Sequence, residues 1–108
     1  MRLIKRQNVI EDSKRFSEDI QKAVKAWCNI VKQAEWQHLE DIRQTYDRSV
    51  DQVERFLVFN LKSYRLIVGF NFSAKIIYYK YLLTHDEYEL GKWKDDPHFK
   101  KQSQKKLN

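Results

Sequence analysis

The chain has 108 residues, 42% hydrophobic and 14% aromatic, with only two Gly and one Pro, a composition that suits one folded domain and excludes a disordered or two-domain chain. Its lone Cys28 rules out an internal disulfide and, with three scattered histidines, leaves no pair for a zinc site. No apolar run approaches the roughly 20 residues of a membrane span, and MRLIKRQNV lacks the apolar stretch of a signal peptide; the expectation is a soluble protein of the reducing cytoplasm, with no membrane.

The formal net charge of +6 is unevenly spread. Residues 1–54 hold ten Lys or Arg against ten Asp or Glu, residues 55–85 hold five against none, and residues 86–108 hold six against five. A basic field confined to one part of a small domain raises local phosphate affinity and on-rate, the usual footprint of a polyanion partner.

In chain order, residues 1–4 suit a short edge strand, and Lys5 to Phe16 a helix with Val9 and Ile10 as its apolar contacts. Ser17, followed by Glu18 and Asp19, marks a helix start with a capping hydroxyl and acids near the positive dipole end. From there Ile20, Ala23, Val24, Trp27, Ile30, Val31 and Ala34 recur at spacings of three and four, which predicts an amphipathic helix with Trp27 as a core anchor. Trp36, Leu39, Ile42 and Tyr46 continue at helical spacing, predicting a third helix within Glu35 to Tyr46. Asp47 to Glu54 is polar and aperiodic and reads as the loop into the sheet.

Three β-runs follow: Arg55 to Asn60, Tyr64 to Phe70 and Ile76 to Leu83. The first two are linked by Leu61, Lys62 and Ser63, and the last two flank Asn71 to Ala74 as a hairpin. Lys62, Arg65, Lys75 and Lys80 interrupt these Tyr-rich strands. A turn centred on Phe72 and Ser73 sets Arg65 directly opposite Lys80, a like-charge pair that is favourable only with an anion between. Tyr78 shares a face with Lys80 and is a candidate base-stacking residue. The predicted fold is therefore α+β, with N-terminal helices packed on a small antiparallel sheet.

In Leu82 to Lys94, Thr84 with Glu87 matches a capping box, and Gly91 sits where a short helix would end in a left-handed residue. His85 falls in the first turn with Tyr88 one turn on and Lys92 beyond. The positive helix end favours a neutral imidazole and a bound anion, which suits proton transfer. The domain is expected to span 1–96, with 97–108 a basic, flexible tail.

Three segments, AWCNIVKQAEW (26–36), FNLKSYRLIV (59–68) and LLTHDEYELGKWK (82–94), together with the order of elements, resemble the HigB family of toxins within the RelE superfamily. The resemblance covers nearly the whole chain except the lysine-rich tail, and departs from the family at the turn of residues 61–63, which is shorter than its relatives' turn. It implies a RelE-like fold and a type II toxin that cleaves messenger RNA, commonly on the translating ribosome, silenced by a helix-turn-helix antitoxin of the HigA kind. Cofactor-free, metal-free cleavage of this type uses the ribose 2′-hydroxyl as nucleophile on the adjacent phosphate. It needs two proton-transfer groups and one or two fixed cations. Arg65, His85, Tyr88 and Lys92 are the catalytic candidates, with Lys62, Lys75, Tyr78, Lys80 and Lys94 as RNA contacts. A basic module that holds RNA or ribosome without cutting, and an inactive relative that binds only an antitoxin, are the rival readings. The charge-neutral helical side, with Lys22 and Lys25, is the expected antitoxin surface.

Overall fold

The computed structural model of the chain describes residues 1–100. Five strands form one sheet in the order β1-β5-β4-β3-β2: β1 Arg2–Ile4, β2 Val50–Val53, β3 Phe56–Leu61, β4 Tyr64–Asn71 and β5 Ile76–Thr84. Helices α1 Arg6–Ser13, α2 Glu18–Gln33 and α3 Leu39–Tyr46 precede β2, and α4 His85–Leu90 follows β5. The class is α+β, consistent with a RelE-like fold. The sheet, however, is mixed: β1 runs parallel to β5, and the remaining pairs are antiparallel.

The apolar stripe of α2 explains the main core. Ile20, Val24, Trp27 and Val31 are buried against Leu57, Phe59, Leu66, Val68, Ile77 and Leu82 from the sheet. Trp27 is 1% exposed and meets Phe59 edge-on, with ring centroids 5.5 Å apart, as expected of a core anchor. The opposite sheet face has its own smaller cluster, in which Phe56, Val58 and Ile67 pack with Trp93 and Phe99. Because successive strand residues point to opposite faces, Arg65 shares this second face with Ile67.

Several expectations need correction. The polar stretch 47–54 is a 3-10 turn at Asp47–Ser49 followed by β2. An edge strand pairs on one side only, so β2 buries Val50 and leaves Asp51 and Gln52 in solvent. Ser17 precedes α2, but its side chain makes no capping hydrogen bond. The third helix starts only at Leu39, with the Asp41 carboxylate accepting from the Gln37 N–H at 2.8 Å. Phe99 is buried, and its carbonyl accepts from the Arg55 N–H at 2.9 Å, so the packed body passes the boundary expected at 96. The rest of the expected tail, from 101 on, lies outside the described residues.

The β4–β5 register also differs. The loop Phe72–Lys75 is closed by Asn71 opposite Ile76, with the Asn71 side chain accepting from the Ala74 N–H at 3.0 Å, a local bond typical of Asn in turns. Farther along, Val68 pairs Tyr79 while Ile67 pairs Tyr81, which makes Lys80 the extra residue of a β-bulge. Arg65 therefore faces Leu83 rather than Lys80.

Candidate active site

The end of the sheet where β4 begins and β5 stops carries the residues of interest. Tyr64 pairs with Thr84 and Arg65 with Leu83, so the first turn of α4 is delivered directly beside Arg65. The capping box forms as read from the sequence: Thr84 Oγ1 accepts from the Glu87 N–H at 3.1 Å, and Glu87 Oε1 accepts from the Thr84 N–H at 2.9 Å. Gly91 ends α4 with φ 76°, a left-handed conformation in which any Cβ is strained.

Arg65 and Tyr88 are brought together. The guanidinium carbon lies 5.6 Å from the centre of the Tyr88 ring, within cation–π range, and Nη1 donates to the Tyr64 carbonyl at 3.2 Å. The Tyr88 ring in turn stacks on Trp93, centroids 5.1 Å apart and nearly coplanar at 13°, and Trp93 Nε1 donates to the Tyr88 carbonyl at 3.0 Å. Burial pushes the Tyr88 phenol up from its ordinary value, with Arg65 opposing and Asp51 and Glu89 adding to the rise. The phenol thus stays protonated at neutral pH, beside a guanidinium that is always charged.

Lys92 is exposed and lines a groove of about 330 Å³ with Tyr81, Leu83, Leu90 and Trp93. Lys94 extends over the other aromatic of this group, its Nζ 5.6 Å from the Trp93 ring centre. His85 is exposed at the start of α4 and faces a different groove, with Ser63, Tyr64 and Asp86, while its Nε2 lies 3.8 Å from Glu89. The imidazole is next to the Arg65–Tyr88 pair in the chain but opens to the side of the β3–β4 turn. Lys62, with φ 56°, occupies that turn.

The remaining cations lie elsewhere. Lys75 sits in the turn at the far end of β4, roughly 20 Å from Arg65 at the rise of a strand. Lys80 is nearly buried; its Nζ lies 3.4 Å from Asp96 Oδ1 and 2.8 Å from His98 Nδ1. Tyr78 lies over Gly69, where a Cβ would fall 2.2 Å from its ring, so its place on the sheet depends on that glycine.

Sequence reasoning missed two supporting elements. Trp93, only 3% exposed, is the shelf for Tyr88, and an aromatic following a helix-ending glycine was its only signal. The second is Arg15, whose Nη2 donates to Glu87 Oε1 at 3.1 Å and to the Leu82 carbonyl at 3.2 Å, tying α4 to the α1–α2 link. Sequence separation hid this pairing. Among the described residues no cluster of three or more His, Cys, Asp or Glu is placed to hold a metal ion, and no helix is long and apolar enough to cross a membrane.

A guanidinium set over a protonated phenol can hold an anion and exchange protons with it, while His85 and Lys92 line two separate grooves. Comparison with known proteins places the chain in a family. No curated protein matches it, but the HigB toxin family model, described as a RelE-like toxic component of a toxin-antitoxin system, matches residues 20–91. That span, two thirds of the chain, runs from α2 through the glycine that ends α4 and includes Arg65, His85 and Tyr88; the chain therefore belongs to the HigB toxin family, the RelE-like toxic components of toxin-antitoxin systems, and has an antitoxin as partner.

Proposed function

We propose that the toxin is an endoribonuclease that cuts messenger RNA on the ribosome in the cytoplasm and is held inactive by a HigA-like helix-turn-helix antitoxin. The observation that carries this reading is the Arg65–Tyr88 pair, 5.6 Å apart, at the end of an otherwise acid-free sheet segment. In the reaction His85 takes the proton from a ribose 2′-hydroxyl, whose oxygen then attacks the adjacent phosphorus. The P–O5′ bond breaks, leaving a 2′,3′-cyclic phosphate, and Tyr88 protonates the departing 5′-oxygen. Its raised phenol value suits the role of acid rather than base. Arg65 grips two phosphate oxygens and balances the charge that builds in the transition state, and Lys92 contacts a neighbouring phosphate. Lys62 and Lys94 extend the RNA path on either side.

The test is a cleavage assay on translated messenger RNA with the 5′ ends of products mapped. The parent should yield new 5′-hydroxyl ends and Arg65→Ala should not. RNA or ribosome binding without new ends would establish a non-catalytic module, and antitoxin binding alone an inactive relative.

A further inference from the structure

A cleft of about 540 Å³ opens between β1, α1 and α2, lined by exposed Arg2, Arg6 and Lys32 and by Leu3, Asn29 and buried Cys28. No carboxylate lines it. None of the three cations makes an ion pair or side-chain hydrogen bond among the described residues, whereas Lys14 pairs with Glu11, Arg15 with Glu87 and Arg43 with Asp51. The first turn of α1 adds to the positive field, since Lys5 precedes it in a left-handed conformation with no side-chain cap and the first turn itself holds no acidic residue. Like charges gathered in one concavity repel unless an anion lies among them.

The cations continue over the sheet edge. The Arg2 N–H donates to the Lys75 carbonyl at 2.8 Å, which sets Lys75 at the first end of β1. A second groove, of about 250 Å³, holds Lys5 and Tyr78 at the other end. A track with several cations and a half-exposed aromatic ring fits a polymer of phosphates and bases better than a single small anion, and the ring serves a base but not an acidic peptide. We propose that Arg2, Arg6 and Lys32 form a second phosphate-binding surface that holds the backbone of single-stranded RNA along the β1 edge, apart from the Arg65–Tyr88 site. The identity of the polyanion rests on the RNA-cleaving reading. Arg2 and Arg6 precede the span that matches the HigB family model.

The test uses the full chain and a labelled 2′-O-methyl oligoribonucleotide long enough to reach both sites, uncleavable because its nucleophile is blocked. For the double variant Arg6→Ala with Lys32→Ala, both sites exposed and compatible with folding, the slope of log affinity against log salt should be shallower by about 1.4, or about 0.7 for each phosphate no longer neutralised. Affinity at low salt should fall about tenfold, while single-turnover cleavage at saturating unmodified RNA is unchanged. A parental affinity and slope would overturn the proposal. So would polyglutamate binding that is lost in the variant while oligonucleotide binding is kept, which would assign the cleft to an acidic protein segment. A parent that binds the oligonucleotide in this way yet cleaves no RNA would sink the nuclease reading and leave the β1 surface standing.

Discussion

Arg65 is the residue on which the proposed chemistry turns. It sits half-buried on the face opposite Leu66 and Val68, so Arg65→Ala should leave the core intact. Removing one contact to a developing charge costs about 10² to 10³ in rate, to be read as single-turnover cleavage of translated messenger RNA. His85→Gln keeps size and hydrogen bonding but cannot take up or release a proton, and Tyr88→Phe loses the donor. Each should slow cleavage comparably while antitoxin affinity persists; folded variants that cut like the parent would refute the proton-transfer roles. Arg65's outward orientation was legible from simple alternation. Its opposition to Lys80 was not real: the hairpin turn is centred one residue later than Phe72 and Ser73, which moves the partner by two, and the β-bulge at Lys80 moves it by one more, to Leu83; nothing in the spacing of Ile76 to Thr84 announces the bulge. The consequence is large: Lys80, expected on the RNA, instead joins Tyr81 and His98 around Asp96.

Asp96 is a residue whose effect is on stability. Burial alone would raise its carboxyl, but the His98 N–H, the Tyr81 hydroxyl and the Lys80 ammonium together hold it below the ordinary range, and Tyr81 is itself pushed up to about 12. A carboxyl whose folded value is depressed adds stability that is complete above the unfolded aspartate value, about 3.9, and lost as pH falls through the lower folded value. Asp96→Asn should therefore lower stability at neutral pH by about 1.5–3 kcal/mol, the worth of hydrogen bonds to a charged group. The difference from the parent should shrink below about pH 4. Thermal melts across pH check this, and a gap that stays constant into acid would show that charge at Asp96 is not what holds the segment.

Among the elements, α4 was read most fully from sequence because its signals are local: Thr84 and Glu87 close the box, and Gly91 supplies φ 76°. Thr84→Ala should cost about 1 kcal/mol. Arg15→Ala removes the tie between α4 and the α1–α2 link, so cleavage should fall although Arg15 lies outside the Arg65–Tyr88 pair. Chemical-shift changes at Tyr88 in that variant would report the movement; a parental spectrum with parental activity would mean that the capping box alone positions α4. The sheet edges were less legible for a physical reason. Turns usually declare themselves through glycine at positive φ, but here Glu54, Lys62 and Lys75 take φ values of 53°, 56° and 59°. Glu54 closes the β2–β3 hairpin that the polar composition of residues 47–54 concealed.

At the scale of the whole molecule, α2 on the sheet and the family itself were legible, since both depend on apolar periodicity and on motifs spread over much of the chain. The second packed face was not, because Trp93 and Phe99 meet Phe56 only after the chain has folded back across the sheet. We propose that the antitoxin docks on the helical side, a surface that leaves Arg65 open. Charge reversal at exposed Lys22 or Lys25 should then weaken antitoxin binding more than Arg65→Ala does, measured by calorimetry; a larger loss with Arg65→Ala would mean direct occlusion. The most direct measurement of the central claim is 5′-end mapping of transcripts after induced expression of the parent and of folded Arg65→Ala. New 5′-hydroxyl ends within translated messages, with growth arrest, are predicted for the parent, and neither for the variant; equal cleavage by both proteins, or arrest by the parent with transcripts left whole, would contradict it.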